Sequence, residues 1–453
     1  MREKAHRART RSSKQGLVKV RGVAHISRGS LQCLARWLIC VVLVGMPFHA
    51  LIVIVLGHAF GGQLLFASWK EVVIVLLSIL AVLLSFVTGF GWIRRPANLM
   101  VAIIGVAGLI GVALSGRSDF SWLAGIKTTL LPLVLFVAVQ PFADQLNWQK
   151  IRGLVLIPAL VVSGIALVQF LITPTLFLQM LGYGPTTINP YQTVSIGSDL
   201  GRSFATLGGP NQLGAYLMLP TLWFLALGVT ARNRQMRLIA AFAAAVTTLA
   251  ILTSFSRSAL LGLFGGLIVL FGLYIPRRFQ VVAAAGGIVS AVIGWLKIQQ
   301  LARIPGSFVQ TYLIRGQVND SGMIIGSDEG HIYAWQQGLE LAARHPLGLG
   351  FGAAGPASKY GSAYTITENW YVQIVLELGW LGALAFGILF IELTRRWWLS
   401  EDRVSKVLLA SLFAILVANA FLHTFADSTL SIVWWTLAGL SYGGGRVRGH
   451  DGA

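Results

Sequence analysis

This sequence is poor in charge. Only 11% of its 453 residues are Asp, Glu, Lys or Arg, against about 25% in ordinary soluble proteins. Acidic residues are the rarer sign, 16 against 35 Lys and Arg. So little charge cannot coat a water-exposed globule of this length, and it excludes a charge-rich disordered chain. Cysteine is almost absent, with only Cys33 and Cys40. Seven helical residues hold them about 10 Å apart, too far for a disulfide. The chain also lacks a His/Cys cluster and a D-x-D pair, since Asp328 and Glu329 are adjacent. No metal or other cofactor is expected. Ser256 and Ser258 have no G-x-S-x-G around them.

Apolar residues are abundant: 55% of the chain, with a mean hydropathy of +0.73. Apolar runs of 18 or more residues recur, each long enough to cross about 30 Å of hydrocarbon. The expected fold is all-α: a polytopic helical membrane protein of about twelve spans. They fall near 37–60, 72–93, 99–116, 122–142, 154–173, 211–230, 238–255, 258–275, 281–298, 370–392, 407–425 and 430–444.

The net charge of +19 is distributed as a membrane topology signal. Ten Lys/Arg lie within 1–36, with Glu3 the one acid among them. Cationic loops stay in the cytoplasm. With both termini cytoplasmic, 25 of the 35 Lys/Arg fall inside. Residues 1–36 read as a basic cytoplasmic arm able to touch anionic lipid. The arm has no interleaved aromatics, so nucleic acid is not expected as a partner. Residues 37–444 form a single transmembrane domain, with outside loops at 174–210 and 299–369, and 445–453 form a cytoplasmic tail. The large loop lies between the ninth and tenth spans. The first run is too long for a cleavable signal and reads as a signal anchor in the cytoplasmic membrane.

Three stretches carry candidate chemistry. In GRSFATLGGPNQLGAY (201–216), Arg202 precedes a Gly-Gly-Pro-Asn turn that opens the sixth span, with Asn211 at its start. A helix N-terminus with an arginine fork suits phosphate oxygens. The bland alternative is an arginine that snorkels to headgroups. In LTSFSRSALLGL (252–263), Arg257 interrupts an apolar stretch of 38 residues. Burying it in hydrocarbon costs at least about 2.5–3.5 kcal/mol, so two spans turn there on the outer face. So short a turn predicts adjacent helices.

The third stretch is the long loop together with the start of the tenth span. EGHIYAWQQGLELAAR (329–344) has Ile332, Trp335, Leu339 and Ala342 at helical spacing, and reads as a helix lying on the outer membrane surface. His331 opens it, and Arg344 and His345 close it. Gly348, Gly350 and Gly352 form a flexible turn after Pro346. Glu368 stands just before the tenth span. A carboxylate at that depth loses part of its hydration, which suits a general base; the plain alternative is a first-turn Glu facing the helix dipole. Arg315 and Asn369 are further candidates. Glu377 can pair inside the bundle, and Glu392 can pair with Arg395 or Arg396. His423 and Asp427, four apart at the end of the eleventh span, read as a hydrogen-bonded pair or a cavity rim.

These strings in this order resemble the O-antigen ligase and O-antigen polymerase superfamily over about residues 200–440. The Arg202 to Asn211 stretch, FSRSALLGL (255–263), HPLGLGFG (345–352) and ENWYVQIVLELGWLG (368–382) carry the resemblance. It implies about twelve helices and a large extracytoplasmic loop. It also implies transfer or polymerisation of glycan from undecaprenyl pyrophosphate to a glycan or lipid acceptor. Arg202 and Arg257 would bind the pyrophosphate. The ligase branch is similar but has His-Asn where this chain has Glu368–Asn369. Polymerase-like members resemble this chain in having Glu there and a His upstream in a G-H-I string, as His331 is here. Glu368 and His331 are therefore the implied catalytic pair, working by inverting displacement without a metal. A lipid-linked glycan flippase or another polysaccharide transporter is the rival class. Unequal halves and reactive residues at the rim rather than the midplane count against it.

Overall fold

The computed structural model describes residues 28–117, 119–194, 200–274, 327–361 and 367–444, with isolated positions between 278 and 325; the side chains of 327–333 lie outside it. In chain order its helices are α1 (Arg28–Gly45), α2 (His49–Phe60), α3 (Gln63–Ala67), α4 (Trp69–Thr88), α5 (Pro96–Leu114), α6 (Ser121–Gly125) and α7 (Leu131–Val139). Then come α8 (Trp148–Ile172), α9 (Thr175–Met180), α10 (Pro210–Thr230), α11 (Arg234–Thr253) and α12 (Arg257–Tyr274). Last are α13 (Ser327–Arg344), α14 (Trp370–Trp398), α15 (Arg403–Asn419) and α16 (Ser428–Gly444). A two-residue strand pair, Gln317–Val318 with Ile324–Ile325, lies in the long loop.

Among the described residues, nine helical stretches are long and apolar enough to cross a membrane. The protein is a multi-pass helical membrane protein. Helices α15 and α16 occupy the eleventh and twelfth expected spans but stop at 17 residues each. The expected ninth span, 281–298, falls almost entirely outside the described residues. Helix starts follow local chemistry. Pro96 and Pro210 open α5 and α10, where a missing N–H is harmless. Asn147, Asn233 and Asn369 accept N–H groups of the first turns of α8, α11 and α14.

One expected span is not a continuous helix. α14 breaks at Gly379, whose φ of +66° no other residue type adopts easily. The break frees carbonyls, and the loop 345–352 bonds them. Leu349 N–H donates to Leu376 O at 2.7 Å and Gly350 N–H to Glu377 O at 2.9 Å, while Trp380 N–H donates to Pro346 O at 3.0 Å. Its glycine-bearing part, 348–352, is buried between α14, α5 and α6, while 345–347 stay exposed. A Cβ on Gly350 would lie 2.3 Å from Val112 N, and one on Gly352 would lie 2.1 Å from Ser121 O. The glycines are therefore close-approach positions, and the expected flexible turn is a packed re-entrant loop. Irregular backbone at membrane depth is tolerated only when protein satisfies it. Glu377 completes the satisfaction: it is fully buried and accepts from Gln373 Nε2, Thr129 Oγ1 and the N–H groups of Gly352 and Ala354.

α13 forms as expected, with Ala342 and Gly338 packed on Val372 and Leu376 of α14 and Leu339 of the same stripe exposed. One further expectation is corrected. α11 and α12 stay close only at their turn. α12 packs on α15 and α10, and α11 on α10 and α8, because Gly262 and Gly266 let α12 sink onto Ala414 and Ala410.

At one end of the bundle Arg95 and Arg396 donate to the terminal carbonyls of α16 at Tyr442 and Gly443. Arg395 pairs with Glu392 at 3.1 Å, as expected.

Candidate active site

At the other end, the C-terminal ends of α8, α11 and α15 meet the N-terminal ends of α10, α12, α14 and α16. Arg202 ties several of them together. Its Nε donates to Ser254 O at 2.9 Å and its Nη2 to Asn211 Oδ1 at 2.8 Å. Ser254 ends α11, and Arg257 begins α12 three residues on. The loop carrying Arg202 is itself pinned. Ser203 N–H donates to Thr253 O at 3.0 Å, and Ser203 Oγ to Ala166 O at 2.8 Å. Gln169 Oε1 accepts from Phe204 N and Ala205 N. A cleft opens beside Arg202, lined by Phe170, Thr173, Tyr191, Gln192 and Gly201.

The α12 and α14 ends reach the same place through α15. A Cβ on Gly262, five residues into α12, would lie 3.2 Å from Ala418 Cβ. Asn369 Nδ2 donates to Ala420 O at 3.0 Å. Gly262 of α12 and Asn369 at the start of α14 therefore both meet the C-terminal end of α15. Each N-terminal helix end contributes a positive dipole pole and each C-terminal end a negative one, so an anion would be favoured only beside the N-terminal ends.

Among the described residues, the non-glycine positions with positive φ are Thr173, Ala205, Phe255 and Glu368, at +48° to +50°. All four lie at this end. Such conformations cost about 1–3 kcal/mol each and persist only where the surroundings enforce them. Phe255 makes the turn before Arg257. Glu368 sits between Thr367 and the helix cap Asn369, whose Oδ1 accepts from Tyr371 N and Val372 N.

Here the structure brings in a residue read differently from sequence. Thr367 Oγ1 donates to Asn369 O at 3.0 Å and lies 3.0 Å from His423 Nε2. The hydroxyl has one proton, so Nε2 must donate to Thr367. Burial pulls the His423 imidazole down to about 4, while the nearby Glu368 carboxylate opposes that. His423 and Asp427 do not form the expected helical pair, because α15 ends at Asn419 and a 3-10 turn, Thr424–Ala426, separates them. Asp427 instead caps α16, accepting from Leu430 N at 3.0 Å. Burial pushes its carboxyl up to about 6, against the Leu430 and Thr429 N–H groups.

Lys70 and Lys127, unremarked in the sequence, both pair with Glu71, at 3.1 and 2.7 Å. Lys70 Nζ also donates to Ala67 O at 2.9 Å and lies 3.0 Å from His49 Nε2, so it is tied to its own surroundings as a brace rather than a site. Of the remaining candidates, Arg315 and the His331 side chain lie outside the described residues. The His331 backbone is one helical turn before Trp335, whose ring contacts Phe421 at 6.1 Å. Arg344 is exposed at the last turn of α13.

Residues 240–387 match the family model described as O-Antigen ligase, which supports the resemblance to the O-antigen ligase/polymerase superfamily. The matched stretch includes Arg257, His331, Glu368 and the re-entrant loop. Arg202 and Asn211 precede it and join it through the Ser254 bond. A comparison with curated proteins finds no match.

Proposed function

We propose that this chain is a membrane glycosyltransferase of the O-antigen ligase/polymerase type. It transfers or polymerises undecaprenyl-pyrophosphate-linked glycan on the outer face of the cytoplasmic membrane, with both termini in the cytoplasm. The observation that carries the reading is the bond from Arg202 to the turn that bears Arg257. It sets two guanidinium-bearing segments side by side, with helix N-termini around them, as a diphosphate requires.

In the proposed reaction an acceptor hydroxyl loses its proton to Glu368, with His331 as the second candidate base. The hydroxyl oxygen bonds the anomeric carbon of the donor sugar. The bond from that carbon to the phosphate oxygen breaks, and its electron pair leaves on the lipid pyrophosphate. Arg202 and Arg257 stabilise that departing charge. Single displacement inverts the anomeric centre. Asn211 orients Arg202, and Asn369 holds the helix start behind Glu368. The basic residues ahead of α1 would rest against anionic lipid.

The test is purified protein in liposomes with undecaprenyl-pyrophosphate-linked glycan extracted from the host. Elongated or transferred glycan with release of undecaprenyl pyrophosphate is expected. Movement of the lipid-linked glycan across the bilayer without a new glycosidic bond would make the chain a flippase and overturn the reading.

A further inference from the structure

We propose that His423 is a positioning residue for Glu368, acting through the Thr367 hydroxyl that lies directly before it. This rests on the reading of Glu368 as the base. Glu368 is held at a positive φ of +48°, a conformation its neighbours must impose. On its C-terminal side Asn369 does so, bonded to Ala420 and to the first turn of α14. On its N-terminal side the anchor is Thr367, which is fully buried. Its hydroxyl is held from both directions, donating to Asn369 O and receiving the His423 Nε2–H, each at 3.0 Å.

The two anchors reach Glu368 from the same connection. Ala420 and His423 both belong to the segment between α15 and α16. His423 thus links to Thr367, Thr367 to Asn369 and Asn369 to Ala420, and the chain from Ala420 to His423 closes the circuit, with Glu368 between two of its members in sequence. The direction of the bond fixes the tautomer as Nε2–H, and no hydrogen bond engages Nδ1 among the described residues. A side chain that only needs to donate from the Nε2 position has a conservative replacement. The amide of glutamine places a donating nitrogen there, and alanine does not.

The experiment compares wild type, His423→Ala, His423→Gln, Thr367→Val, the Ala/Val double variant and Glu368→Gln. Each is purified, checked for monodisperse elution, and assayed with host undecaprenyl-pyrophosphate-linked glycan. Misplacing a reacting group by about 1 Å costs roughly 10²-fold in rate. His423→Ala and Thr367→Val should each lose kcat on that order with KM nearly unchanged, the double variant should be no worse than either, and His423→Gln should recover most of the rate. Wild-type kcat in His423→Ala, additive losses in the double variant, or a glutamine variant as slow as alanine would each overturn the proposal. Glu368→Gln separates the two levels. If it is inactive while His423→Ala is not, only this inference fails; if it keeps full rate, the reading of Glu368 fails.

Discussion

Arg202 donates from Nε to the backbone carbonyl of Ser254 at 2.9 Å, across 52 residues of chain. The acceptor is a carbonyl at the end of α11, which has no helical partner of its own to bond. One guanidinium thus fastens the loop before α10 to the turn before α12, and with its second nitrogen reaches Asn211. A lysine has the charge but not the fork.

The first prediction concerns that geometry. Arg202→Lys should lose about 10²-fold or more in turnover, the scale for removing one oriented donor from a developing anion. Arg257→Ala should be at least as severe. Product formation at matched membrane abundance is the measurement. A lysine variant with wild-type turnover would show that position 202 contributes charge alone.

Glu368 separates function from stability. Glu368→Gln keeps the backbone demand and removes the base, so kcat should fall by about 10²–10⁴-fold while the melting temperature changes little. Glu368→Gly removes both the base and the left-handed strain at φ +48°. It should be as inactive yet melt no lower, with up to about 1 kcal/mol of relief offset by the freer unfolded chain. A large drop in melting temperature for the glycine variant would mean the side chain braces the fold instead.

The re-entrant loop should tolerate almost no added volume. Gly350→Ala puts a Cβ 2.3 Å from Val112 N at a φ of +85°. Backbone strain alone costs about 1–3 kcal/mol, and the clash adds to it. Glu377→Ala strands the Gln373 and Thr129 donors and the Gly352 and Ala354 N–H groups, at about 1–3 kcal/mol for each buried donor left without a partner. Membrane yield and thermal unfolding in detergent would report both. Normal yield and stability of either variant would contradict the buried loop.

Two groups in the α15–α16 connection should make stability depend on pH in opposite senses. His423 titrates near 4 in the fold against an ordinary 6.5. The unfolded chain binds that proton first, so stability falls as pH drops from 6.5 toward 4. Asp427 titrates near 6 against 3.8. The folded chain keeps that proton, so stability falls as pH rises from 3.8 to 6. In the wild type the two trends offset. Asp427→Asn should leave a protein that weakens on acidification through this window, and His423→Gln one that strengthens. Thermal melts of both variants between pH 4 and 7 decide it, and parallel pH profiles for the two would sink the assignment.

The sequence alone determined the class of fold, because hydrocarbon is an unforgiving solvent. Runs of apolar residues with scarcely any charge can only be spanning helices, and the helix at Pro210 starts where the Gly-Gly-Pro-Asn turn put it. It also marked Arg202, Arg257 and Glu368 as out of place in an apolar chain. Their relationship was not legible, since it runs through backbone carbonyls of Ser254 and Ala420 that carry no residue identity. The same holds for the loop 345–352. Its three glycines read as freedom, and only the tertiary structure shows that they are spaces into which Val112 and Ser121 backbone is packed. His423 was legible as polar but not as a partner of Thr367, which lies 56 residues away in the chain. Hydropathy is a local property and survives in the order of residues. Which polar groups meet is set by how α14 and α15 pack, and that is decided only when the whole bundle closes.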